Sequence, residues 1–144
     1  MSSREYPGYP RVGVGAIVIK DDAVLLVKRG FNPGKGLWAI PGGNLKLGET
    51  LQGAAEREIM EETGIEIKAK LPPHITFELI KKDEGDKIRF HYVIVDLIAD
   101  YVSGEPQGGD DALEARWVRM KDLGKIPVSK NTLKVLKTAR NYKP

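Results

Sequence analysis

The stretch "REIMEETG", residues 57–64, sets the strongest constraint on the fold, because it puts Glu58, Glu61 and Glu62 within two turns of an expected helix. Like charges three and four residues apart on a helix repel. The surrounding run "ETLQGAAEREIMEETG" is rich in helix formers and ends at Gly64, a residue suited to closing a helix. Residues advance by ~100° around a helix axis, so with Leu51 at zero Ala55 falls at ~40° and Ile59 at ~80°. That is a core-facing stripe. Glu58 falls at ~−20° and Glu62 at ~20°, inside the same stripe, with Glu61 beside it at ~−80°. Burying an unpaired carboxylate costs several kcal/mol. Two of them on the buried face therefore call for a cation between them, and hard divalent ions take oxygen ligands.

A glutamate-rich helix on its own is more often a solvated face or an ion-pair ladder. The upstream spacing decides the matter. Gly43 is followed after five residues by Glu49, and Glu49 after seven by Arg57-Glu58-Ile59; Glu61-Glu62 and Gly64-Ile65 follow with one residue between each group.

The rest of the chain narrows the class. Its 144 residues suffice for one domain, expected to span 1–144, and are too few for two comfortable ones. With 41% hydrophobic and 30% charged residues, the composition is that of a globular chain. The absence of cysteine excludes a disulfide framework, a thiolate metal site and a cysteine nucleophile. Two histidines, His74 and His91, are too few for a histidine-built zinc site. The start, "MSSREYPGYP", has no apolar stretch like that of a signal peptide, and "VGVGAIVI" and "YVIVDLIA" are too short to span a bilayer. A cytoplasmic protein with no membrane partner is expected. A formal charge of +3 gives no argument for nucleic acid.

Along the chain, "RVGVGAIVIK" and "AVLLVKR" predict two strands joined by a tight turn. "GFNPGKG" predicts a loop, and "LWAIPGGN" a short strand breaking into a glycine turn. After the helix come a strand in "IEIKAK", a hairpin of "ITFELIKK" and "KIRFHYVIVDLIA" around "DEGD", a polar loop "GEPQGGDDA" and a strand "EARWVRM". A last helix in "SKNTLKVLKTARNY" is expected to bury Leu133, Leu136 and Ala139 or Arg140, capped by Ser129 or Asn131. Together these predict an α/β (α+β) domain, a mixed sheet sandwiched between helices in three layers.

The spacing from Gly43 to Ile65 resembles the Nudix box, G-x5-E-x7-R-E-U-x-E-E-x-G-U with U apolar, at all nine specified places, and "GLWAIPGG" resembles the approach to it. The resemblance implies the Nudix fold over nearly the whole chain. It also implies metal-dependent hydrolysis of a pyrophosphate bond in a nucleoside diphosphate linked to another group. By the same resemblance Glu58 and Glu62 are metal ligands, Glu61 a further one often reached through water, and the backbone carbonyl of Gly42 or Gly43 completes the shell. Mg²⁺ is the implied ion, with Mn²⁺ as a substitute. Arg57 is similar to the box arginine that orients a glutamate, with Glu49 as its partner. The general base in the family is a box glutamate, here Glu61, or an acid on a later loop. Here "GGDDALEARW" offers Asp110, Asp111 and Glu114, with Asp111 and Glu114 favoured. Arg29, ending the second strand, sits where relatives touch the pyrophosphate.

Other residues carry weaker expectations. Lys35 is a solvated loop tip, Trp38 and Trp117 are structural aromatics, and His91 is a packing residue. Tyr6, Tyr9, Phe77 and Tyr92 could stack on a base. "FHYVIVDLIADYVSGEP" followed by "EARWV" resembles small ADP-ribose pyrophosphatases, which implies conversion of ADP-ribose to AMP and ribose 5-phosphate. The alternatives are a MutT-like pyrophosphohydrolase of (deoxy)nucleoside triphosphates and a non-catalytic nucleotide sensor. The expected partner is a small-molecule nucleotide; a homodimer stays open.

Overall fold

Strand β1, Arg11–Lys20, organises the molecule in this computed structural model, which describes residues 4–139. Its side chains alternate between the two faces of the sheet, as the period of two requires. Val14, Ala16 and Val18 enter one core and Ile17 enters the other, so the strand reads as a continuous apolar run. From Arg11 to Val18 it pairs in parallel with β7, Ile88–Ser103, in the register Arg11↔Tyr92 to Val18↔Ala99. At Ile19 and Lys20 it turns through Asp21 and Asp22 into an antiparallel pair with β2, Ala23–Arg29.

The remaining strands attach to this frame. β3, Trp38–Ala39, and β8, Ala112–Arg119, flank β2, while β4, Gly42–Asn44, lies antiparallel on β1. β6, Ile75–Lys82, makes the expected hairpin with the first part of β7. β5, Glu66–Ala69, pairs with the last part of β7. The result is one mixed sheet of eight strands.

Helix α1, Leu51–Thr63, covers one face and α2, Lys130–Ala139, the other, with a short 3-10 helix at Met120–Lys125 leading into α2. Ala54, Ala55 and Ile59 of α1 pack on Val14, Ala16 and Leu97. Val135, Leu136 and Ala139 of α2 pack on Ile17, Val24, Leu26 and Trp38. The three-layer expectation holds. α1 begins where the Thr50 hydroxyl accepts from Gly53 N at 3.0 Å and ends at Gly64, which takes the left-handed φ of 72°. No helix among the described residues is long and apolar enough to cross a membrane.

Three local expectations need correction. Gly42 and Gly43 do not form a turn; they lie in β4, and the chain breaks before them at Ile40 and Pro41. Leu133 is exposed, because the buried stripe of α2 runs through Thr132, Val135, Leu136 and Ala139. That register is fixed by hydrogen bonding: Ser129 caps the helix, its Oγ accepting from Thr132 N at 3.2 Å and donating to Thr132 Oγ1 at 2.8 Å. The same Thr132 hydroxyl accepts from Ile40 N at 3.3 Å, so a polar side chain sits satisfied at the interface. Arg140 lies outside the described residues. Glu114, read both on the acidic loop and as the first residue of the strand "EARWVRM", is not on the loop but inside β8, where it stands opposite Lys28.

Candidate active site

The site forms where β4 runs against the carboxylate face of α1. Glu58 and Glu62 are buried, as their place on the core stripe predicts. Gly42 N donates to Glu62 Oε1 at 2.7 Å. A Cβ added to Gly43 would lie 2.3 Å from the Glu58 carboxylate, and one on Gly42 would lie 2.3 Å from the Val14 carbonyl oxygen. Only glycine lets this backbone approach both the helix and β1 so closely.

Burial pushes the Glu58 carboxyl up, against the pull of Arg57. Burial also pushes Glu62 up to about 8, and the Gly42 N–H only partly offsets it, while the nearby Glu58 adds to the rise. Both groups therefore carry a cost that a cation would relieve.

Arg57 distributes its guanidinium over several partners. Nε and Nη2 donate to the two oxygens of Glu49 at 2.6 and 2.9 Å. Nη1 donates to Glu58 Oε1 at 2.7 Å and to Glu61 Oε2 at 3.2 Å, and Nη2 also reaches the Asn44 carbonyl at 3.1 Å. The Glu49 partnership is the one expected from the sequence. Hydrogen bonds from Arg57 hold the Glu49 carboxyl down at about 2.

Glu58, Glu61 and Asp110 each bring a carboxylate oxygen within 4.8 Å of the others. Three hard oxygen donors at this spacing suit Mg²⁺ or Mn²⁺. Glu62 stands beside the cluster on Gly42. Asp110, a base candidate in the sequence, thus joins the acids of the helix. The neighbouring Asp111 is ion-paired with Arg4, whose guanidinium also lies 4.4 Å from the centroid of the Phe31 ring.

Glu58, Glu61, Glu62, Asp110 and Asp111 border a cleft of about 860 Å³ between the sheet and the start of α2. Arg29 lines it, its Nε donating to the Pro33 carbonyl at 2.6 Å; burial lowers its pKa and Glu62 opposes the fall. Phe77 and Tyr92 line it as well. Glu114 is not among the lining residues; it pairs with Arg116 at 2.8 Å and Lys28 at 3.8 Å. Tyr6 is tied to Asp83 at 2.9 Å, and Tyr9 and Lys35 are exposed. Trp38 is buried in the second core, Trp117 meets Tyr101 edge-on at 5.6 Å, and His91 stands opposite Ile80 on β7.

Sequence reasoning missed Arg4 and Asp96. Arg4 gives no local signal. Asp96 does give one, a single acid inside the apolar run "VIVDLIA". It is buried at 4% exposure, lines the cleft, and is pushed up to about 7 by burial.

The NUDIX domain family model matches residues 9–139, and the chain belongs to the Nudix hydrolases. It is 39% identical over 118 residues to an ADP-ribose pyrophosphatase of Methanocaldococcus jannaschii, covering 82% of this chain and 67% of that protein. It is 35% identical over 117 residues to an oxidized purine nucleoside triphosphate hydrolase of Danio rerio, covering 78% and 67%. The crystal structure of a MutT NUDIX hydrolase from Burkholderia pseudomallei superposes with a TM-score of 0.77 at 32% identity, over 90% of this chain and 98% of that one.

Proposed function

We propose that the protein hydrolyses the pyrophosphate bond of a nucleoside diphosphate joined to a second group, with ADP-ribose as the favoured substrate and AMP and ribose 5-phosphate as products. The observation that carries this reading is the convergence of Glu58, Glu61 and Asp110 beside Glu62 in one large cleft. These acids, with the carbonyl of Gly42 or Gly43, would hold a divalent ion, which would supply charge neutralisation and make water more acidic. Arg57 holds Glu58 and Glu61 in place, and Arg29 meets the phosphate oxygens. Water attacks one phosphorus, the bridging P–O bond breaks, and the water's proton passes to Asp111 or Glu61. The same reading carries Mg²⁺ as the ion, with Mn²⁺ as substitute, and the cytoplasm as compartment.

Similarity to the Danio rerio hydrolase supports a second reading, release of pyrophosphate from purine nucleoside triphosphates. A substrate panel with Mg²⁺ separates the two. ADP-ribose, NADH, nucleoside triphosphates, dinucleoside polyphosphates and sugar nucleotides are offered and the products resolved. The highest kcat/KM is expected for ADP-ribose; a higher value for triphosphates, with pyrophosphate released, would overturn the first reading.

A further inference from the structure

Asp96 sits apart from the metal-binding acids and is not used by the chemistry above. In the sheet it stands beside Gly15 of β1 and Ile75 of β6. Paired residues in neighbouring strands point to the same face. On this face Gly13 stands beside Ile94, which in turn stands opposite Phe77. The space over the two glycines is taken up by the side chains beside them. A Cβ on Gly13 would lie 2.9 Å from Ile94 Cδ1, and a Cβ on Gly15 would lie 2.4 Å from Asp96 Oδ1. The Asp96 carboxyl thus occupies the space over Gly15, and Phe77 and Ile94 line the same cleft. Buried polar side chains are nearly always hydrogen-bonded. The backbone carbonyl of Asp96 accepts from His74 N at 2.9 Å, but among the described residues its carboxyl has neither a hydrogen bond nor an ion pair, and burial is the one influence on its acidity.

We propose that Asp96 is the specificity residue of the cleft, its carboxyl accepting a hydrogen bond from the exocyclic amine of a nucleobase held against Phe77 and Ile94. The proposal rests on the nucleotide reading above and deepens it. With the phosphates held at the carboxylates of α1, the apolar side of the cleft receives the planar end of the substrate. A ring there meets Phe77 and Ile94, with the Asp96 carboxyl beside them. An amine edge meets the carboxyl as a donor meeting an acceptor. With the carboxyl ionised, above pH ~8, a ring carbonyl in the same place sets oxygen against oxygen, and a buried site that hydrogen-bonds one substrate group rejects the analogue without it. Adenine is therefore accepted over hypoxanthine.

The test compares ADP-ribose with its hypoxanthine counterpart at pH ~8.5, where the carboxyl is ionised, in wild type, Asp96→Asn and Asp96→Ala. The amide of Asn can donate or accept, so it loses the distinction while keeping the shape. Wild type is expected to favour the adenine substrate by about tenfold or more in kcat/KM, and both variants to bring the ratio within about threefold, the change falling mainly on KM. Mg²⁺ dependence stays as in wild type. A structural role would lower both substrates together and leave the ratio unchanged, which overturns the proposal, as does a wild type without preference. Equilibrium binding of AMP and IMP is measured in parallel. If wild type cleaves neither substrate yet binds AMP over IMP, and Asp96→Asn does not, the hydrolysis reading falls and the base-reading role stands. Equal binding of AMP and IMP by wild type, or binding of neither, overturns the role of Asp96.

Discussion

Arg57 and Glu49 meet in a two-pronged ion pair, Nε to Oε2 at 2.6 Å and Nη2 to Oε1 at 2.9 Å. The loop before α1 thereby fixes the guanidinium, and the remaining nitrogen fixes Glu58 and Glu61. Arg57→Lys keeps the charge and loses the planar fork. Turnover is expected to fall by roughly ten- to a hundredfold, with the Mg²⁺ concentration for half-activity raised, because the ligands lose their alignment. Kinetics across a Mg²⁺ titration check this; unchanged values would show that the fork has no part in placing the acids.

The cluster of Glu58, Glu61 and Asp110 predicts full dependence on a divalent ion. A chelator should abolish activity, and Mg²⁺ or Mn²⁺ should restore it. Glu58→Gln, Glu61→Gln and Asp110→Asn should each weaken metal affinity by about ten- to a hundredfold. Metal-induced rise in melting temperature gives a readout independent of turnover. An Asp110→Asn protein with wild-type affinity would remove Asp110 from the set.

The choice of general base is decided at saturating Mg²⁺. If Asp111 takes the proton, Asp111→Asn should lose roughly a hundred- to ten-thousandfold in turnover. If Glu61 does, the loss appears in Glu61→Gln and Asp111→Asn stays within about tenfold. Glu114→Gln should remain near wild type in either case, since its carboxylate is engaged by Lys28 and Arg116 on β8. A large loss in Glu114→Gln would require β8 to rearrange around substrate.

Stability of the metal-free protein should fall with rising pH. Glu62 rises from an ordinary 4.5 to about 8, and Asp96 from 3.8 to about 7. Each holds a proton in the folded state over a range where the unfolded chain has released it. The folded state binds more protons there, so its advantage is complete below pH ~4 and is lost as pH climbs through ~7 to 8. The difference between the ends of that range is on the order of a few kcal/mol. Melting curves from pH 4 to 9 measure it. Glu62→Gln and Asp96→Asn should each flatten the profile, and Mg²⁺ should stabilise most at the alkaline end. A wild-type profile flat over this range would mean that neither carboxyl is desolvated.

The helix was legible because its carboxylates, its Gly64 cap and its apolar stripe all point to one register. The helix Leu51–Thr63 and its cap Gly64 fall within the run that pattern marks, while the Thr50 cap at its start was not read from it. The strands of β1 and β2 were legible from composition, but the sharing of β1 between β7 and β2 was not, since it depends on pairings far apart in the chain. Glycines read as turn signals hid the extended β4, whose conformation is set by the close approach of Val14 and Glu58. Leu133 misled because hydrophobicity was weighed without the hydroxyl bonds that turn Thr132 inward. Asp110 was visible as an acid near the site, yet its placement with Glu58 and Glu61 needed the loop to fold back over α1. Arg4 reaches Asp111 from the other end of the chain, a contact with no local trace.

Strand β7 joins β1, β5 and β6. The hairpin turn at its start, closed by Asp83 N to the Lys87 carbonyl at 2.8 Å, divides the chain into two pieces of unequal content. The first carries β4, α1 and their acids; the second carries β7, Asp110 and Asp96. A chain severed at Gly85 would therefore have Glu58 and Glu61 on one fragment and Asp110 and Asp96 on the other. Neither fragment can hold metal and nucleotide together, and catalysis returns only when the fragments dock through the β1–β7 seam. Fused to two other proteins, the fragments would make pyrophosphate cleavage a report on whether those proteins meet.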